Sequence, residues 1–243
     1  MAGSLVSIII PAFNAASTIR KCLSSAVDQT FIEKEIIVVD GGSADNTADI
    51  VTSFRPSITH FISENDDGVY DAINKGLDLA KGDWIFILGA DDYLDNPQTI
   101  SKLLSSNKGN ATLIFGIARN ESGVNSLVPS EHISSMGFAL TFRNTLHQQS
   151  VLYHKSVFEK FRFNIQYKVL ADYDLHLKLY SESVSYQNTS ILVAHCKAQG
   201  LSKKFNWALY REELKIKKKR LHPILWLINI PWVVMKYAIK NLF

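Results

Sequence analysis

Through the first hundred residues, short apolar runs alternate with apolar positions at helical spacing. Val6–Ile10 is a largely β-branched run closed by Pro11, the pattern of a strand covered on both faces. Ile19, Cys22, Leu23, Ala26 and Val27 recur at helical spacing, with Asn14 or Ser17 as the cap. Ile36–Val39 predicts a second buried strand, and GGS at 41–43 turns the chain into a helix carrying Ile50, Val51 and Phe54. Ile58–Ile62 predicts a third strand. Ile73, Leu77 and Ala80 mark the next helix, which Gly82 stops, and Trp84–Leu88 predicts a fourth strand. Beyond residue 100 the pattern weakens. Leu113–Ile117 reads as a strand, 119–135 as a long loop or hairpin, and Phe138–Phe142 as a short strand or helix. Leu146–His154 reads as a strand with a polar entry. A helix is expected over Asp172–Tyr180, although Leu175, Leu177 and Leu179 alternate like a strand.

Strand–helix alternation with buried strands predicts an open, mostly parallel α/β sheet flanked by helices. Parallel strands joined by crossovers bring their carboxyl ends to one edge, where open α/β sheets bind ligands. The segments at that edge are PAFN (11–14), DGGS (40–43), SENDDG (63–68) and GADD (89–92). All four are polar and three are acidic.

Composition changes this picture little. A chain of 243 residues, 47% hydrophobic and 20% charged, buries a sizeable core, which excludes a disordered or fibrous chain. Cys22 and Cys196 make neither a disulfide framework nor a metal-ligand spacing, so a reducing cytosolic compartment is expected. The start MAGSLVSIIIPA has no basic region, and no signal peptide is expected there. The net charge of +3 matters less than its distribution: KIKKKR (215–220) places five cations just before an apolar tail. Cations beside such a tail, without a folded aromatic platform, argue against nucleic acid.

Clustered carboxylates repel one another unless a cation arrives. Mg²⁺ needs only one or two protein carboxylates when phosphate oxygens complete its shell, so Asp91 and Asp92 suit a metal–diphosphate site; they equally suit a capped turn. Asp40 offers an acceptor to a base or ribose hydroxyl, and the glycines after it allow close backbone approach. The dinucleotide fingerprint and the P-loop are both absent, which counts against NAD and against a P-loop ATPase. Asp172 and Asp174 lie in a largely apolar stretch. Burial would raise a carboxyl pKa there and suit a general base, while a helix cap explains Asp172 as well. His147, in LHQQS (146–150), is either a ligand to phosphate or acceptor hydroxyl or a satisfied buried imidazole.

The blocks VSIIIPAFNAASTIRKCLSSAVDQT, EIIVVDGGSADNT, SENDDGVYDAINKG, GDWIFILGADDYL and LADYDLHLKL, in that order, resemble family 2 glycosyltransferases of the GT-A fold. They are most similar to small bacterial enzymes of exopolysaccharide, O-antigen and colanic-acid assembly, over roughly residues 4–200. The resemblance implies inverting transfer of a sugar from a nucleotide-diphosphate donor, with Mg²⁺ or Mn²⁺ as cofactor, to a lipid-linked saccharide. It places Pro11, Phe13, Asn14 and Asp40 at the base and ribose, and Asp66, Asn74 and Lys75 around the donor. It gives Asp91, with Asp92, to the metal, Asp172 to the catalytic base, and His147 and Gln148 to the acceptor or diphosphate. Asp67 falls where the family accepts many residues.

Two positions depart from the family pattern. The first acid of the metal motif is Gly89, and the Glu that often precedes the base is Ala171. The expected organisation is a glycosyltransferase domain over 1–205, with a nucleotide-binding half (1–100) and an acceptor half (101–205), and a helical tail over 206–243. Leu221–Met235 is fifteen residues, short of the roughly 20 that span a bilayer. With KIKKKR before it, the tail predicts an interfacial segment on an anionic membrane at the cytoplasmic face, or a surface for a homodimer partner. Two other functions stay open at this level: a nucleotidyltransferase, and a catalytically silent subunit that binds a nucleotide sugar.

Overall fold

Four parallel strands form the first half of the sheet: β1 (Val6–Ala12), β2 (Lys34–Asp40), β3 (His60–Ser63) and β4 (Trp84–Ile87). The computed structural model describes residues 4–109, 111–121, 129–197 and 206–242. In β1, Ile9 faces one core with Ile37, Ile73, Leu77 and Ile87, while Ile8 and Ile10 face the other with Ile36, Leu23 and Leu103. Two-sided burial is why these strands read as continuous apolar runs; each such side chain contributes roughly 1.5–3 kcal/mol on leaving water.

The helices α1 (Ile19–Val27), α2 (Thr47–Ser53) and α4 (Thr99–Ser106) pack on one face, and α3 (Val69–Leu79), α5 (Ser156–Lys160) and α6 (Ala171–Ser181) on the other. The remaining strands are β5 (Tyr93–Leu94), β6 (Leu113–Glu121), β7 (Glu131–Ile133), β8 (Val151–His154) and β9 (Tyr186–Lys197). The sheet runs β3-β2-β1-β4-β8-β6-β9-β5, with β7 paired to β6. Antiparallel pairing enters where β8 meets β4, so the second half of the chain extends the sheet beyond its parallel half.

The expected hairpin within 119–135 is present as β6 and β7, with residues 122–128 outside the described set. Phe138–Thr141 is a 3₁₀ turn, and the polar entry before β8 is another, Gln148–Ser150. The third strand begins at His60, two residues later than Ile58, because Arg55–Ser57 forms a 3₁₀ turn. Neither α4 nor the twelve-residue β9 is among the sequence expectations.

The tail is an antiparallel pair of helices, α7 (Trp207–Arg220) and α8 (Pro223–Leu242). Lys217 Nζ meets Asn229 Oδ1 at 2.7 Å and Lys236 Nζ meets Glu213 at 2.6 and 2.7 Å. The expectation of a basic surface along KIKKKR needs correction. Lys217 is fully buried and Arg220 holds Asp174 through two hydrogen bonds, leaving Lys215, Lys218 and Lys219 exposed. No helix among the described residues is long and apolar enough to cross a membrane.

Candidate active site

A cavity of about 880 Å³ opens where the carboxyl ends of β1, β2 and β4 meet the loops before β8 and α6. From the parallel half it takes Pro11, Phe13, Asn14, Asp66, Asp91 and Asp92. The opposite wall contributes Asn144, His147, Gln148, Lys168 and Asp172. Most of the residues singled out in the sequence therefore converge on one space, although Asp40, Asn74 and Lys75 do not line it.

Asp40 is wholly buried beneath the turn that follows β2. Its carboxylate accepts from the Ser43 amide (3.1 Å), the Ser63 hydroxyl (2.7 Å) and the Ser43 hydroxyl. Ser43 Oγ in turn accepts the Asn14 amide at 2.7 Å, and Asn14 Oδ1 accepts the Ala44 amide at 2.9 Å. Asp40 thus shapes the cavity through Ser43 and the loop at Asn14, a non-glycine residue held at φ 47°. Asn74 clamps Phe163, with its Nδ2 2.9 Å from the carbonyl and its Oδ1 3.1 Å from the amide. Lys75 pairs with Glu64 at 2.7 Å and donates to the Asn65 carbonyl at 3.2 Å. Both residues brace the walls from outside the cavity.

Asp66 is half-buried, and its Oδ1 accepts the Gly68 amide at 2.8 Å. Its other oxygen fills the space where Gly41 would carry a Cβ, so the turns after β2 and β3 lock together only because residue 41 is glycine. Asp67 is exposed and does not line the cavity; its amide donates to Asp71 and its carbonyl accepts Lys168 Nζ at 2.7 Å. The two adjacent acids have separate environments.

Asp91 and Asp92 follow β4 on a turn closed by the Asp92 amide donating to the Gly89 carbonyl at 2.9 Å. Both carboxylates bend back over Gly89; a Cβ there would lie 2.7 Å from Asp92 Oδ2 and 3.0 Å from Asp91 Oδ1. A side chain at 89 would require both carboxylates to shift from this arrangement. Asp92 Oδ1 also accepts the Lys197 amide at 3.0 Å. Among the described residues no three His, Cys, Asp or Glu side chains form a metal cage. Two hard oxygen ligands facing a cavity that can admit phosphate oxygens still fit Mg²⁺ or Mn²⁺, which need few protein ligands.

Asp172 lies in the first turn of α6, half-buried among protein groups that desolvate it and push its carboxyl up to about 6. Two side chains bond it, the Tyr70 hydroxyl at 3.1 Å from Oδ1 and Asn144 Nδ2 at 3.0 Å from Oδ2, and Lys168 lines the same cavity. The Tyr70 hydroxyl also lies 2.7 Å from the Val169 carbonyl, so its single proton is divided between two acceptors. Asn144 is therefore the firmer donor to the carboxylate. Asp174, the other acid of this stretch, is closed off by Arg220 at 2.6 and 2.7 Å.

His147 and Gln148 sit on the cavity wall where the 3₁₀ turn enters β8. His147 Nδ1 lies 4.0 Å from Cys196 Sγ, and the His132 ring is 5.5 Å away. Asn144, Tyr70 and Lys168 escaped the sequence reading. Tyr70 looks like a helix-face apolar residue, and Asn144 and Lys168 stand in stretches with no periodicity.

Residues 7–188 match the family described as Glycosyl transferase family 2. A PGL/p-HBAD biosynthesis glycosyltransferase of Mycobacterium bovis is 33% identical over 191 residues, which cover 74% of this chain and 72% of that protein. The hyaluronan synthase of Pasteurella multocida is 28% identical over 86% of this chain, but only 23% of the synthase is covered. Among solved structures, residues 1–349 of S. aureus TarS in complex with UDP-GlcNAc superpose with a TM-score of 0.68 at 19% identity, covering 87% of this chain and 65% of that one. The mannosyltransferase PcManGT from Pyrobaculum calidifontis, in complex with GDP-Man and Mn²⁺, gives 0.65 at 17% identity, covering 98% and 74%. These likenesses establish the GT-A architecture expected from the sequence blocks. The chain belongs to glycosyl transferase family 2.

Proposed function

We propose that this glycosyltransferase moves a sugar, with inversion at the anomeric carbon, from a nucleotide-diphosphate donor to a lipid-linked saccharide during surface polysaccharide assembly. The observation that carries the reading is the half-buried Asp172 in one cavity with Asp66, Asp91 and Asp92. An acid raised to about 6 is ionised at neutral pH yet basic enough to take a proton from an acceptor hydroxyl.

Pro11, the exposed Phe13 and Asn14 form the mouth that receives the base and ribose, and Asp66 binds the donor from the side. Asp40, Asn74 and Lys75 support this half through the bonds described above. Asp91 and Asp92 would hold Mg²⁺ or Mn²⁺, which neutralises charge on the departing diphosphate when bound. His147 and Gln148 line the same cavity as Asp91, Asp92 and Asp172, which suits the acceptor or the diphosphate. Inversion requires the acceptor oxygen to attack opposite the leaving diphosphate. Asp172, Asp91 and Asp92 line one cavity, which supports assigning the two ends of that line to them.

The membrane reading rests on α8. Ile224, Leu227, Ile228, Val234, Met235 and Ile239 are exposed, while Asn229 and Val233 turn inward. With exposed Lys215, Lys218 and Lys219 nearby in the chain, this face suits an anionic cytoplasmic leaflet.

The deciding experiment is a thermal-shift panel of UDP-, GDP- and TDP-sugars with and without Mn²⁺, followed by a product assay on the responding donor. Metal-dependent stabilisation by one donor and release of nucleoside diphosphate are expected. Release of pyrophosphate would instead make the protein a nucleotidyltransferase.

A further inference from the structure

His176 is a buried titratable side chain on α6 that the reaction described above leaves unused, and its surroundings define where its proton sits. It is fully inaccessible, and burial lowers its pKa to about 3, so the ring is neutral. A neutral imidazole has one N–H and one lone pair, and its partners decide which nitrogen carries which. Nδ1 lies 3.2 Å from Asn144 Oδ1, and Nε2 lies 2.7 Å from the Tyr153 hydroxyl.

The assignment starts from the carboxylate. An ionised Asp172 accepts only, so Asn144 must present its amino group to Oδ2, 3.0 Å away. Oδ1 of Asn144 then faces the other way, where the Leu146 amide also approaches it at 3.4 Å. A bare Nδ1 would set its lone pair against that oxygen at 3.2 Å, so His176 carries its proton on Nδ1. Nε2 is left as an acceptor and takes the Tyr153 hydroxyl proton. One charge thereby fixes every proton in a chain of four side chains. The chain matters because an amide can rotate by half a turn. A rotated Asn144 would put its oxygen against the carboxylate and remove the firmer of the two side-chain donors that Asp172 has.

We propose that His176, itself oriented by Tyr153, is a positioning residue that prevents Asn144 from rotating and keeps it donating to Asp172. His176 never meets substrate; it acts through Asn144 on the base. The inference rests on Asp172 being the base, and its tests are read without any substrate. The other charged or titratable groups around this chain are Tyr70 on α3, Lys168 on the cavity wall, Glu212 on α7, and His132 and His147 beside His176. All are retained in the variants below.

Two NMR measurements on the full chain test it. In ¹⁵N-His protein, His176 should show a protonated Nδ1 and an unprotonated Nε2; the opposite tautomer overturns the proposal without any mutation. In ¹³C-Asp protein, with the Asp172 signal assigned through Asp172→Asn, the carboxyl midpoint should rise by about one unit in Asn144→Ala, as expected for losing a charge-assisted hydrogen bond. His176→Leu should raise it in the same direction, and the double variant should go no further than Asn144→Ala alone. His176→Asn, which restores a donor at the Nδ1 position, should return the midpoint towards that of the unaltered protein. An unmoved midpoint in His176→Leu, or an equal rise in His176→Asn, would sink the idea. If these results hold but Asp172→Asn still transfers sugar, it is the assignment of the base that fails.

Discussion

Glu212 and Leu170 are joined by a 2.6 Å hydrogen bond that ties the tail to the threshold of the helix carrying Asp172. The same carboxylate accepts the amides of Lys168 and Val169, each at 2.9 Å. Three successive backbone donors on the cavity wall are thus satisfied by one acid from α7. An acid near the start of a helix also meets the positive end of its dipole.

Glu212→Ala should lower stability by about 1–3 kcal/mol, since it strands backbone donors in a half-buried loop. Urea denaturation would measure this. Glu212→Gln should recover part of the loss, because its amide oxygen can still accept while its amino group opposes the Lys168 amide. If the alanine and glutamine variants are equally destabilised, the charge rather than the acceptor geometry is what the loop requires.

Asp172→Asn should reduce turnover by at least about a hundredfold, the lower end of what a general base contributes. Its effect on stability should have the opposite sign. The folded-state pKa of about 6 lies above the ordinary value of 3.8, so folding favours the protonated acid. Below pH 4 the acid is protonated in both folded and unfolded chains and the substitution changes little through this group. Between pH 4 and 6 the unfolded chain ionises first and the unaltered protein loses stability. Above about pH 6 the Asn variant should be the more stable, by about 2–3 kcal/mol for a shift of two units. Parallel denaturation curves at pH 4.5 and pH 8 would check it; a constant difference between the two proteins would contradict the raised pKa.

Asp66 and Asp67 offer a comparison between neighbours. Asp66→Asn should lower kcat/KM for the donor on the order of tenfold, equivalent to about 1.4 kcal/mol, while Asp67→Asn should change it by less than about twofold. The reverse order would mean that the exposed acid, not the one packed on Gly41, meets the donor.

Leu227→Glu and Ile228→Glu together should abolish flotation with vesicles containing anionic phospholipid and leave the melting temperature nearly unchanged, because both side chains are already exposed. Unaltered flotation would remove the membrane from the proposed function, and a change from dimer to monomer in sedimentation would assign the face to a second copy of the chain.

The parallel half of the fold was legible because burial on both faces leaves uninterrupted apolar runs, as in Ile36–Val39. Its acidic turns were legible for a related reason: buried strands make the polar residues at their ends conspicuous. The second half hid itself. β9 opens on a polar run, 187–190, and turns apolar only over 191–194, so its twelve residues never read as one buried strand. α6 is buried around nearly its whole circumference, so Leu175, Leu177 and Leu179 never trace a single face. Asp172 could be singled out for standing in apolar surroundings. Its partners could not, because Tyr70 and Asn144 reach it from 102 and 28 residues away. Gly89 was visible as a departure, but that two later carboxylates fold back over it is a relation in space rather than in sequence.

Lys217 has a consequence for how the molecule comes apart. Its ammonium, fully buried, meets the Phe142 carbonyl at 2.8 Å, Asn229 at 2.7 Å and Glu213 at 2.7 Å, while Trp232 reaches the same carbonyl at 3.1 Å. Peeling α7 and α8 away would leave that carbonyl, Asp174 and the amides held by Glu212 without partners at once. A structure whose edges share such bonds does not fray from its end. The tail and the sheet should therefore lose order together, with residues 206–242 in the same cooperative unit as the helix that carries Asp172.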